Sequence, residues 1–488
     1  MIASEMAPFA KTGGLADVVG ALPVSLERLG HDVTVVMPRY RAVTIPSAGV
    51  AVMSRRLTVG ARTDEVQFHV LTESPARRVV FVDIPRLFDR VGLYEYGGRD
   101  YPDNAERFAT LCAAACEYAE HLNPAGSTDV VHAHDWQAGL ALAWLRYDSR
   151  RWPRTSRAGR VFTIHNLAYQ GVFPKETVPA MGLPWNAFTV EGGEFWGQFS
   201  YLKTGITSSD VTTTVSPTYA RETLAPPLGV GMDGVLKARG DRYIGILNGI
   251  DTDVWNPATD PLIPARFDLD NLAGKRECKR ALLERFGLPV GDDALERPLI
   301  GLVSRLVDQK GLRLIQAAGA ELMALDATWV FVGQGDPHHE TFLRALASHY
   351  RARVGVHIGF DEALAHLVEA GADIFLMPSI FEPCGLNQMY SLRYGTVPVV
   401  HAVGGLDDTI QPYTSRALHA NGFKFKRSTG EELARTMRQA VRLYDDKNAW
   451  TALMRAGMQA DHSWEKSARE YVRVYRRARR DAADRGGA

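Results

Sequence analysis

Residues 11–17 read KTGGLAD: a lysine, paired glycines, and the start of a helix-like run. Paired glycines let a backbone come close to a ligand, and amide N–H groups at a helix N-terminus attract anions. Lys11, Gly13 and Gly14 could therefore hold a phosphate. The order is that of a P-loop reversed, because there the lysine follows its glycines. A strand-to-helix turn with a solvated lysine explains the bare motif equally well. SRLVDQKG (304–311) brings Arg305 and Lys310 to the end of another strand-like run, where a diphosphate could bind between them. Alone these are exposed loop charges. A cationic loop in each half of the chain, if both face one cleft, suits a diphosphate leaving group.

SIFEPCGLNQ (379–388) sets Glu382 after a buried-type strand, and Cys384-Gly385-Leu386 reads as the first turn of a helix ending at Gly395. A carboxylate there could accept sugar hydroxyls while helix amides hold phosphate; a simple capping acid is the alternative. Cys384 lacks a paired base nearby and reads as an inert thiol. In HAHDW (132–136), His132 and His134 share one strand face and read more readily as sheet residues than as metal ligands. Asp135, at the strand end, is the better candidate for a sugar hydroxyl. TIHNLAYQG (163–171) places His165 and Asn166 after a further strand, although a lone histidine is usually structural. Asp251-Thr252-Asp253 is a DxD, a pattern that can hold a divalent cation against a diphosphate. Three residues in a Pro/Asn-rich turn are weak support for that.

The elements that must position these residues alternate: short β-branched runs, then longer stretches of helical period. Strand-like runs fall at 31–38, 79–84, 129–134, 160–165 and 211–216, then at 298–304, 328–335, 354–359, 372–379 and 396–402. The fold class is α/β, with doubly wound parallel sheets whose ligands bind beyond the strand ends. Only Met1 to Ser4 precede the first turn, so either the first strand is short or translation starts upstream. The stretch 247–264, rich in Pro, Asp and Asn, reads as a linker. It divides a first domain, 1–246, from a second, 247–461. GGLxD recurs at Gly404-Gly405-Leu406, again between a strand-like and a helix-like run, which hints at two Rossmann-like domains. Residues 462–488 carry an amphipathic helix, with Trp464, Ala468, Tyr471 and Tyr475 on one side, that could cover either domain.

The 488 residues include 46% hydrophobic and 23% charged types, enough for sizeable cores. Lys+Arg and Asp+Glu balance at 56 each, so nothing favours nucleic acid or an anionic membrane. Four scattered cysteines suit neither a disulfide framework nor a zinc site, and Cys112 and Cys116 read as packed helix thiols. Without a signal-like leader or a long apolar run, the expectation is a cytoplasmic protein.

Taken in order, KTGGLADVVGALP (11–23), YPDNAERF (101–108), AHDWQA (133–138), TIHNLAYQG, TVSPTYA (214–220), LNGIDTDVWNPATD (247–260), VSRLVDQKG (303–311), FEPCGLNQMYSLRYG (381–395), GGLDDT (404–409) and SWEKSA (463–468) span nearly the whole chain. In these stretches it resembles glycosyltransferase family 5, the ADP-glucose-dependent bacterial glycogen synthases related to plant starch synthases. The resemblance implies a GT-B fold, two Rossmann-like domains facing an interdomain cleft. It implies transfer of glucose from ADP-glucose to the non-reducing 4-OH of an α-1,4-glucan such as glycogen, with retention and with neither metal nor cofactor. Lys11 then belongs to the nucleotide-sugar site, with Gly13 and Gly14 beside it. Arg305 and Lys310 stabilise the departing ADP, and Glu382 holds the glucosyl unit. Cys384, Gly385 and Leu386, with Gly404 and Gly405, lie beside sugar and phosphates. His165, Asn166, Asp135 and Tyr101 match positions on the sugar side.

The chain departs from the family pattern at Ile380 (usually Arg), Asn387 (often Thr), Val403 (Thr), Thr204 (Gly) and Tyr390, where related transferases carry a second glutamate. The closest rival is a related transferase using UDP-glucose or a maltosyl donor. A dinucleotide-dependent oxidoreductase would need a G-x-G-x-x-G after the first strand, which is lacking. A non-catalytic glucan-binding protein would not need Lys11, Arg305, Lys310 and Glu382 together.

Overall fold

The computed structural model describes residues 1–46, 49–414 and 419–486. It divides into two compact units, Met1–Gly249 with Trp464–Ala488, and Ile250–Ser463.

In the second unit, six parallel strands lie in the order Val354–Ile358, Thr328–Gly333, Leu299–Val303, Ile374–Met377, Val397–His401 and Phe423–Phe425. Numbered by chain position, the order is 3-2-1-4-5-6, with its switch point between Leu299–Val303 and Ile374–Met377. The strands are near-continuous apolar runs because helices cover both faces. Ile300, Leu302, Trp329 and Phe331 pack into one core cluster, while Leu299, Val330 and Val332 pack into another. The segment after Gly249 is more than a linker: Trp255 stacks between the rings of His366 and Tyr390, 3.8 Å from each. Buried Asp260 takes hydrogen bonds from Tyr394 (2.5 Å) and His366 Nδ1 (2.7 Å).

The first unit repeats this order. Its parallel strands run Arg77–Asp83, Val33–Pro38, Ile2, Val130–His134, Gly159–Ile164, Val211–Thr214 and Tyr243–Gly245. In the first strand, a single residue, Ile2, bridges Val36 on one side and Ala133 on the other. Unlike the expected purely parallel sheet, it carries an antiparallel hairpin, Val50–Val59 with Arg62–Ser74, on Arg77–Asp83. One face of that hairpin is solvated, so it alternates polar and apolar residues and lacks the apolar run of the other strands. The terminal helix, Trp464–Gly486, belongs to this unit. Gly159 lets it approach, since a Cβ there would lie 2.7 Å from the Ala478 carbonyl carbon. No helix among the described residues is long and apolar enough to cross a membrane.

Candidate active site

In the second unit, the switch point brings Lys310 and Glu382 together. Lys310 follows the first strand of that sheet in chain order, and Glu382 follows the fourth. Their Nζ and Oε2 lie 2.6 Å apart, both largely buried. Ser379 donates a second hydrogen bond to the same carboxylate oxygen at 3.0 Å. The two loops are also joined through backbone. Ile380 N–H donates to the Gln309 carbonyl at 2.8 Å, and Gln309 Nε2 donates to the Phe381 carbonyl at 3.1 Å. Gly311 permits this contact: its φ is +76°, and a Cβ there would sit 2.0 Å from the Pro378 oxygen. Arg305 is exposed and its guanidinium makes no hydrogen bond or ion pair with the described residues. The loop thus carries one cation held by a carboxylate and one with no such partner among the described residues.

Cys384, Gly385 and Leu386 are not the first helical turn. Gly385 has φ +71°, outside the right-handed region, and the helix runs from Asn387 to Arg393. After SRLVDQKG, where the helical spacing of Leu312, Ile315, Ala318 and Leu322 predicts one helix, two short ones form, Leu312–Ala317 and Gly319–Met323, with Ala318 in the turn between them. Gly404 and Gly405 do open a helix, Gly404–Thr409, packed against the Glu382 turn. A Cβ on Gly404 would come within 1.9 Å of the Glu382 oxygen, and one on Gly405 within 2.1 Å of the Cys384 oxygen. Asn387 Nδ2 donates to the Val303 carbonyl at 2.9 Å, tying the helix Asn387–Arg393 to the first strand of the sheet.

The first unit places Lys11 and Asp135 at the equivalent switch point, after Ile2 and after Val130–His134. Gly14–Arg28 is the helix opened by KTGGLAD, and a Cβ on Gly13 or Gly14 would meet nothing within 4 Å. This copy of the glycine pair faces open space, unlike its counterpart. Lys11 is exposed and paired with Asp17 of its own motif at 2.6 Å. The turn is held by Glu5, which sequence reasoning missed. Buried Glu5 accepts from Thr12 N–H (2.5 Å), Thr12 Oγ1 (2.6 Å) and Tyr94 OH (2.5 Å). Its position at the end of the first strand was the available signal, obscured because that strand is one residue long.

Asp135 begins the helix Asp135–Tyr147 with φ +57°, a conformation unusual for a non-glycine residue. Its Oδ1 accepts the His165 N–H at 2.7 Å. Desolvation, and secondarily the charge of Glu5, push its carboxyl up to about 7 against the amides of His165 and Asn166. His165 Nε2 lies 3.0 Å from His134 Nδ1. Burial drives His165 down to about 3 and His134 well below the ordinary imidazole range, so both rings are neutral. Asn166 Oδ1 accepts the Ala168 N–H in a local turn. Tyr101 is tied elsewhere: its OH donates to the Val91 carbonyl at 2.6 Å, and Arg90 and Arg107 lie 4.9 and 5.0 Å from its ring.

Three other sequence features resolve. His132 is buried between Tyr475 OH (2.9 Å) and Thr163 Oγ1 (2.6 Å). In the DxD, Asp251 Oδ1 accepts the backbone N–H groups of Asp253 and Val254. Among the described residues, three metal-capable side chains converge at Asp308, His338 and His339, where Arg313 also donates to Asp308 at 2.6 Å.

The family profile described as "Starch synthase catalytic domain" matches residues 1–238, and "Glycosyl transferases group 1" matches 291–455. The glycogen synthase of Anaeromyxobacter dehalogenans strain 2CP-C is 49% identical over 97% of this chain and 98% of its own length. The chain belongs to the glycogen synthase family. That of Koribacter versatilis is 46% identical over 98% of this chain and 97% of its own. Among solved structures, the catalytic domain of starch synthase IV from Arabidopsis thaliana, bound to ADP and acarbose, superposes with a TM-score of 0.88. It is 32% identical, covering 98% of each chain. Sucrose-phosphate synthase from Thermosynechococcus elongatus shares the fold at a TM-score of 0.56 and 16% identity, over 97% of this chain and 94% of its own. As a glycogen synthase relative of GT-B fold, the chain is a glucosyltransferase of glycogen synthesis, acting on a nucleotide sugar and a glucan.

Proposed function

We propose that the protein transfers glucose from ADP-glucose to the non-reducing 4-OH of glycogen, with retention and without a metal or cofactor, in the cytoplasm. The observation that carries the residue roles is the Lys310–Glu382 pair at the switch point, in a loop where Arg305 has no partner among the described residues. Breaking a glycosyl–phosphate bond builds negative charge on the diphosphate. Fixed cations at that position supply the largest stabilisation such a step can receive. An ammonium has three donors, so Lys310 can keep Glu382 and still reach a phosphate oxygen. Glu382 retains acceptor capacity for a sugar hydroxyl. In the first unit, neutral His165 and the acid Asp135 offer acceptors and a donor to a sugar, and open Gly13-Gly14 leaves backbone accessible. The ADP in the starch synthase structure supports an adenine donor. Both DxD carboxylates lie in a turn, and Asp251 is already committed to backbone, which supports metal independence.

Radiolabel incorporation into glycogen from ADP-glucose and from UDP-glucose, with and without EDTA, tests this reading. Incorporation should be faster from ADP-glucose and indifferent to EDTA. Equal or greater use of UDP-glucose would overturn the donor, and an EDTA-sensitive rate would overturn metal independence.

A further inference from the structure

Beyond the switch-point residues, three loops of the first unit gather an exposed aromatic surface that no motif above used. Trp196 is 81% exposed at the tip of the hairpin Glu194–Phe195/Gln198–Ser200, and Tyr169 is 58% exposed in the loop that carries His165 and Asn166. Val230, 44% exposed, closes the group. Gln170 Nε2 donates to the Val230 carbonyl at 2.9 Å, and a Cβ on Gly231 would lie 3.4 Å from Trp196 Nε1. The loops therefore form one continuous surface.

Two observations mark it as built. Trp196 (φ +52°) and Val230 (φ +46°) both hold left-handed backbone, which is costly for a bulky and a β-branched residue. Such strain persists only where the surroundings enforce it. At Trp196 the two-residue hairpin turn, with Gly197 at φ +79°, demands it, and Lys203 fixes the strand that leads in, its buried ammonium donating to the carbonyls of Glu194 (2.5 Å) and Val190 (2.8 Å). Gly197 N–H also donates to Glu194 Oε1 at 2.7 Å. The hairpin presents an indole to solvent from a fixed base.

We propose that Trp196 and Tyr169 form a stacking platform for the α-glucan acceptor, reached along the loop that begins at His165. The inference rests on the glucan-extending function. An exposed, rigid aromatic gives large contact area at low entropic cost, and pyranose rings present apolar C–H faces to such surfaces. The platform carries no charged side chain at its tips, which suits a neutral polysaccharide better than a nucleotide.

The test measures kinetics with glycogen and with maltoheptaose for Trp196→Ala, Tyr169→Ala, the double variant and Trp196→Phe, alongside retention of each on glycogen in native affinity gels. Trp196→Ala should raise the acceptor KM about ten-fold, as loss of an aromatic anchor does. Its kcat and ADP-glucose KM should stay within about two-fold, and Trp196→Phe should keep most of the affinity. Unchanged acceptor KM and gel retention in the double variant would overturn the proposal. So would an equal loss with Trp196→Phe, or a matching rise in donor KM, because the hairpin's fold and not its ring would then be responsible. A wild-type protein that transferred no glucose yet bound glycogen through Trp196 would fault the function and keep the platform.

Discussion

At the residue scale, the Lys310–Glu382 contact separates a catalytic role from a structural one. Lys310→Ala leaves a buried carboxylate unpaired, so the melting temperature should fall, by the equivalent of about 3 kcal/mol. The kcat should fall by roughly two to three orders of magnitude if the ammonium stabilises the leaving diphosphate. Adding Glu382→Gln should recover most of the melting temperature and none of the kcat; recovery of both would make the pair purely structural. Asp135 offers a test by pH. Its folded pKa, about 7, lies above the ordinary carboxylate value, so the folded state favours the neutral acid. Its contribution to stability is present below about pH 4 and is lost as pH rises through 7. Asp135→Asn should therefore raise the melting temperature at pH 8 and leave it little changed at pH 4. The opposite ordering would show that the carboxyl is stabilised as an anion.

At the element scale, the two glycine pairs share a sequence and a place ahead of a helix, yet their surroundings differ. Gly405→Ala drives a methyl into the Cys384 carbonyl and should cost about 1–3 kcal/mol in denaturant unfolding. Gly13→Ala meets nothing and has an extended φ of −159°, so stability should hold while the donor KM rises. Equal destabilisation by both would remove the distinction. The strand ends bearing Lys11, Asp135, His165, Arg305, Lys310 and Glu382 were legible in the chain, because buried parallel strands are continuous apolar runs and their ends are polar. The solvated hairpin Val50–Ser74 and the left-handed Gly385 were not. Each departs from the apolar or helical period that marks the other elements: the hairpin because one face is solvated, Gly385 because its φ of +71° ends the turn before the helix begins.

At the scale of the whole molecule, both units carry the same strand order with a cation-bearing loop after the first strand and an acid after the fourth. The terminal helix completes the first unit from the far end of the chain. Tyr475, on that helix, bonds His132 in the sheet at 2.9 Å. Tyr475→Phe should cost about 1–3 kcal/mol, since it leaves a buried imidazole nitrogen unsatisfied. An unchanged unfolding midpoint would show that water replaces the hydroxyl. By itself the sequence determined the α/β alternation, the family and the loops that carry chemistry, because these follow from hydrophobic period and from local residue types. Tertiary structure decided that Lys310 is paired while Arg305, among the described residues, is not, that Glu5 holds the KTGG turn, that burial weakens the Asp135 acid and that the last helix returns to the first unit. Those outcomes depend on which distant groups share a desolvated space, a property that no local stretch of sequence encodes.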